Sequence, residues 1–135
     1  MGFWSLFKAG QKNTGQFVSE HNYKVNLERQ IDMCSQTIEQ LRKLNVADDR
    51  ELKLEFFFYA NTADKASMFA SELGKLNYSV MNKQSAGDKK LFVVTGWTTK
   101  MRMTDAIIKG WSKQMCELGY KFDCDFDGWG TNPTQ

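Results

Sequence analysis

Asp123, Asp125 and Asp127 recur at every second position near the carboxy-terminal end of the sequence. On an extended strand, residues so spaced share one face, about 7 Å apart at each step. Carboxylates in that arrangement can hold a hard cation or receive a basic partner. They can also form a solvated charge row that keeps an edge strand from pairing with other chains. An EF-hand loop would need a further acidic residue beyond Gly128, and none follows Asp127. No metal site is expected. The row runs into Gly128, Trp129, Gly130 and Thr131, where two glycines flank an indole. Glycine lets the backbone turn, so Trp129 can serve as a packing plug or as an anchor for a partner.

Other chemistry has little to work with. His21 is the only histidine, so Ser–His–Asp and Cys–His devices lack support, and it reads as a capping or surface residue. Neither a Walker loop nor a GxGxxG run occurs, and the glycines around Trp129 open no helix. Cys34, Cys116 and Cys124 are odd in number and far apart, which fits reduced thiols used as small core residues. Neither a catalytic residue nor a cofactor is expected; the pattern points to binding.

At 135 residues the chain suits one domain. A net charge of +2 with mixed signs gives no basic stripe, which disfavours strong nonspecific nucleic-acid binding. The apolar start around Phe3, Trp4, Leu6 and Phe7 is too short to span a bilayer and has no secretory pattern, so a cytoplasmic protein is expected. Residues 1–21 read as a mobile or docking segment, 22–131 as one domain, and 132–135 as a short tail.

The elements that must position the acidic row follow from periodicity. Leu27, Ile31, Cys34, Ile38 and Leu41 form one stripe of a first helix over about residues 22–44. Residues 51–59 read as a strand, with Leu52, Leu54, Phe56 and Phe58 on one face and Phe57 and Tyr59 on the other. A helix follows from a cap at Asn61 or Thr62, with Asn77 closing it in the left-handed conformation. Residues 78–84 and 90–98 read as a hairpin, and Thr104 caps a helix that Gly119 is expected to stop. Tyr120, Phe122, Cys124 and Phe126 then alternate with Lys121 and the aspartates as a last strand.

This order predicts an α+β fold: a ferredoxin-like split βαβ antiparallel sheet (βαββαβ) with an additional amino-terminal helix. Both later helices would cover one face. Phe57, Tyr59, Met81, Phe92 and Val94 would lie on the other, covered by the first helix. If uncovered, Phe57, Tyr59 and Phe92 would resemble the base-stacking rings of single-stranded RNA-binding modules, although the Lys/Arg-Gly-Phe/Tyr pattern is absent.

The Asp127, Gly128, Trp129, Gly130, Thr131 run resembles the carboxy-terminal signature of a bacterial family, regulator of ribonuclease E activity B. A strand holding Glu55, Phe56, Phe57 and Phe58, and a helix ending in Leu76, Asn77, Tyr78, Ser79 and Val80, are similar to it as well. The resemblance implies a ferredoxin-like fold and a non-catalytic regulator that binds an RNase E/G-type ribonuclease and restrains RNA cleavage by protein contact. It implies partner-binding roles for Asp127, Gly128, Trp129, Gly130 and Thr131, which Asp123 and Asp125 would join through the acidic row. Enterobacterial members are strongly acidic with an acidic tail, whereas this chain is slightly basic, so an electrostatic mode of binding is weakened. A neutralising, immunity-type partner of another protein fits the same pattern.

Overall fold

The structure, a computed structural model, describes residues 15–135. The expected docking role of the apolar stretch from Phe3 to Phe7 lies outside the described residues.

Helix α1 spans Glu20–Lys43, opened by Ser19, whose hydroxyl accepts from the Asn22 N–H. Glu20 in the first turn and Arg42 and Lys43 in the last complement the helix dipole. Asn45, at φ 66°, closes the helix: its N–H donates to Arg42 O and that of Val46 to Leu41 O, both at 3.0 Å. Asparagine tolerates this left-handed angle better than most residues.

Short strands β1 (Glu51–Leu52) and β5 (Met101–Arg102) pair antiparallel as a small second sheet that the periodicity did not reveal. The main sheet contains β2 (Leu54–Ala60), β3 (Ser79–Gln84), β4 (Phe92–Trp97) and β6 (Asp125–Thr131) in the order β3-β4-β2-β6, all antiparallel. Helices α2 (Ala63–Gly74) and α3 (Asp105–Lys121) start at the threonine caps Thr62 and Thr104. The described residues form an α+β fold with three helices and antiparallel sheets.

Alternation in β2 decides the faces. Leu54, Phe56, Phe58 and Ala60 are fully buried, while Glu55, Phe57 and Tyr59 are half-buried. Phe58 meets Phe69 of α2 edge-on at 4.6 Å, and Trp111 of α3 meets Phe126 of β6 at 6.0 Å, so both helices cover the Phe58 face. Two glycines permit close approach there. A Cβ on Gly119 would stand 2.9 Å from the Phe58 ring, and one on Gly96 only 1.8 Å from the Ser79 carbonyl oxygen.

Three expectations are corrected. Gly119 does not stop α3, which continues to Lys121; the residue is there for its contact with Phe58, and the last strand starts only at Asp125. Asp123, at φ 60°, provides the stop: the Cys124 N–H reaches back to Gly119 O at 2.7 Å and the Asp123 N–H to Tyr120 O at 3.0 Å.

The first helix does not cover the open face of the sheet. It packs along α3 beside β6, with Tyr23 stacked on Tyr120 at 4.4 Å. Its inward stripe is also rotated, because Asn26 and Gln30 are buried while Leu27 and Ile31 are only partly so. Asn26 Nδ2 donates to the Phe126 carbonyl at 2.8 Å, and Gln30 Nε2 to the same oxygen at 3.3 Å. These amides satisfy a carbonyl on the edge strand β6, which apolar residues could not do.

Phe92 and Val94 lie on the helix-covered face, since Val94 pairs with Phe58 and Phe92 with Ala60. Both rows of β4 are apolar, so its phase could not be read from sequence.

Candidate functional site

The predicted acidic row does not exist as a row. Asp123 occupies the turn before β6, and its carboxylate accepts from the Phe17 N–H at 2.8 Å and the Val18 N–H at 2.8 Å. It also takes the Lys65 ammonium at 2.6 Å. Lys65 in turn donates to Asn61 Oδ1 and Gly15 O. Asp123 is therefore a clamp joining the start of α1, the start of α2 and the end of α3. All its oxygens are engaged inside the molecule.

Asp125 and Asp127 stand apart from this clamp, at the seam between β6 and α1. The register of β6 against β2 shifts between Phe57 and Phe58: Phe58 pairs with Phe126 and Phe57 with Gly128, leaving Asp127 unpaired in a bulge and exposed. Gly128, at φ 138°, carries the strand out of the bulge, an angle a side chain would strain.

Asp125 is half-buried, with Asn26 Nδ2 at 3.5 Å. Burial raises its carboxyl above the ordinary value and neighbouring Asp127 adds to the rise, while Arg29 of α1 opposes it. A groove of about 330 Å³ lined by Asn22, Val25, Asn26, Arg29 and Asp125 opens here. A second, of about 230 Å³, continues past Asp125 to Phe17, Val18 and Asn22. The seam thus offers one half-buried and one exposed carboxylate, a guanidinium, and amides along a cleft.

Trp129 faces the helices, meeting Trp111 edge-on at 6.3 Å, and packs on the core while remaining half-exposed. Trp111 is held by its own bond, Nε1 donating to the Tyr78 hydroxyl at 3.1 Å. Gly130 pairs with Glu55 and a Cβ there would meet open space. The Thr131 hydroxyl donates to Lys53 O at 2.7 Å, fixing the strand end. Of the predicted residues, Asp125 and Asp127 share the seam, Trp129 lies on the other face of β6, and Asp123 is elsewhere.

Arg29 and Asn26 were missed because each is a single polar residue on a helix; only the buried position of Asn26 in the helical wheel marks it. Of the predicted stacking residues, Phe57 and Tyr59 do occupy the open face, whereas Phe92 does not. Trp97 takes its place, pairing with Glu55 beside Ser79.

The cysteines are free and buried, with burial pushing the Cys116 and Cys124 thiols up to about 12. Among the described residues no helix is long and apolar enough to cross a membrane.

The family described as regulator of ribonuclease activity B matches residues 31–131. A protein named regulator of ribonuclease activity B from Xenorhabdus nematophila is 27% identical over 107 residues, which are 78% of this chain and 76% of the relative. The matched span holds every strand of the main sheet, including the bulged strand with Asp125, Asp127 and Trp129, and the chain belongs to the regulator of ribonuclease activity B family.

Proposed function

We propose that this protein regulates an RNase E/G-type ribonuclease by protein contact, without catalysis, through the seam where Asp125 and Asp127 meet α1. The observation that carries this reading is Asp125 itself. Burial and the adjacent Asp127 both disfavour its ionised form. A carboxylate held under that penalty beside an open groove is a candidate for recognition rather than stability. A basic residue of the partner entering the groove would relieve the penalty, and the exposed Asp127 would meet it first.

The strand order β3-β4-β2-β6 with α2 and α3 on one face supports a ferredoxin-like scaffold with α1 as an addition. Trp129 and the turn from Gly128 to Thr131 extend the docking surface along the edge strand, with Trp111 holding the indole in place. The cytoplasm, where a ribonuclease acts on RNA, is the corresponding compartment. Asp123 belongs to the scaffold, not to the contact.

The test is binding of the purified ribonuclease to wild-type protein and to an Asp125→Asn/Asp127→Asn double variant. The double variant is expected to bind at least roughly 10-fold more weakly, as removal of one side of a charge pair at an interface does. Equal affinity with unchanged folding would remove the seam from the interface.

A further inference from the structure

We propose that the face of the main sheet opposite α2 and α3, which adjoins the seam where Tyr59 pairs with Asp125, is a platform for single-stranded RNA. Among the described residues no helix packs on it, because α1 lies against α3 and beside β6. It carries Phe57 and Tyr59 on β2 and Trp97 on β4, the two central strands, all half-buried with ring surface left to solvent. Tyr59 and Phe57 are successive residues on this face of β2, and Trp97, which pairs with Glu55, is diagonal to Phe57, so the rings follow one another in steps of about 7 to 8 Å. That interval admits one splayed base per ring, and stacking on rings of this kind is how single strands are held on four-stranded sheets.

Charge places the backbone. Residues 75–103 carry Lys75, Lys83, Lys89, Lys90, Lys100 and Arg102 against Asp88 alone. The whole chain nets only +2, so this span, which holds β3 and β4, is net basic while the remainder is net acidic. Lys83 pairs with Val93 and lies on the platform itself, next to the exposed Met81 two residues before it. Glu55 of β2 and Asp125 of β6, the latter paired with Tyr59, put carboxylates on the same face, which steers phosphates away from the β6 edge and towards Lys83.

At the Trp97 end a groove of about 350 Å³ is lined by Lys53, Ser79, Trp97, Asn132 and Gln135. The indole wall and the ammonium are groups that stack a base and hold its phosphate, while the Gln135 amide, bonded to Lys53 and Thr131, fixes the groove's far wall. The choice of RNA over DNA rests on the family's link to ribonuclease activity; the platform itself does not.

A fluorescein-labelled oligouridylate, titrated at low and physiological salt with no ribonuclease present, tests this by anisotropy. The wild type should bind, less tightly as salt rises. Tyr59→Ala and Trp97→Ala should each weaken binding by roughly 5- to 100-fold. Trp97→Phe, which keeps a ring, should retain most affinity and guards against a folding artefact, with circular dichroism confirming the fold. Met68→Ala, on the exposed outer face of α2, should change nothing.

No binding at low salt, or a loss as large in Met68→Ala as in Trp97→Ala, overturns the proposal. If RNA does not bind but Trp97→Ala loses the ribonuclease, the face is a protein surface and the RNA assignment fails. Ribonuclease binding measured on the seam variants is a separate readout, so either claim can fail alone.

Discussion

The Asp123 carboxylate holds the Lys65 ammonium at 2.6 Å while accepting the N–H groups of Phe17 and Val18, so one side chain ties the chain leading into α1 to the start of α2. The side chains of the pair are 21% and 26% exposed. Charge-assisted bonds shielded to this degree matter, chiefly because breaking one side strands the other. Asp123→Asn keeps a residue suited to the left-handed angle but removes the charge. It should cost about 2 kcal/mol in urea unfolding, and Asp123→Ala more.

Gly96→Ala should detach β3. The added Cβ would stand 1.8 Å from the Ser79 carbonyl oxygen, which is backbone and cannot swing aside. A loss of at least about 2 kcal/mol is expected, together with faster amide exchange in Ser79–Gln84 than elsewhere in the sheet.

Trp129→Ala removes the edge-on partner of Trp111 and opens a hollow beside Phe56, its cross-strand neighbour. Because the indole is only half-buried, the cost should be about 2–3 kcal/mol, below that of a fully buried tryptophan. Trp129→Phe should recover more than half of it in the same unfolding experiment.

Asp125 makes a pH prediction. Its carboxyl is raised in the folded state, so the folded chain binds its proton more tightly than the unfolded chain does. This contribution is fully present only below the unfolded value and is lost as pH rises from there through the folded value. Asp125→Asn should therefore raise the melting temperature near neutral pH, and the gain should vanish below about pH 4. A stabilised variant that binds its partner poorly would mark a residue kept for recognition.

Cys116 and Cys124, buried with thiols pushed up to about 12, should resist alkylation in the native protein at mildly alkaline pH and react once it is unfolded. Mass spectrometry before and after denaturation reads this directly.

What the sequence disclosed depended on whether one local rule acted alone. Threonine caps at Thr62 and Thr104, the left-handed Asn77, and the alternation of β2 with Phe58 inward all follow from single-element chemistry. The acidic row misled because alternation from Tyr120 to Phe126 imitates a strand, while Tyr120, Lys121, Phe122 and Asp123 instead complete and close α3. Its aspartates were split by a left-handed turn at Asp123 and a bulge at Asp127, neither of which has a glycine at that position to announce it.

Long-range pairing decided the rest. Nothing local to β4 says that Val94 rather than Thr95 faces Phe58. The location of α1 was likewise set by buried Asn26 and Gln30 reaching the Phe126 carbonyl, a bond spanning about the whole fold in sequence. An apolar stripe alone could not distinguish that docking from a seat on the open sheet.

The most direct measurement is calorimetric titration of the ribonuclease with wild-type protein and with Asp125→Asn/Asp127→Asn, both shown to be folded. Tight binding by the wild type and binding weakened at least roughly 10-fold in the double variant is the predicted result. Indistinguishable affinities would contradict the claim that the α1–β6 seam is where this family member meets its partner.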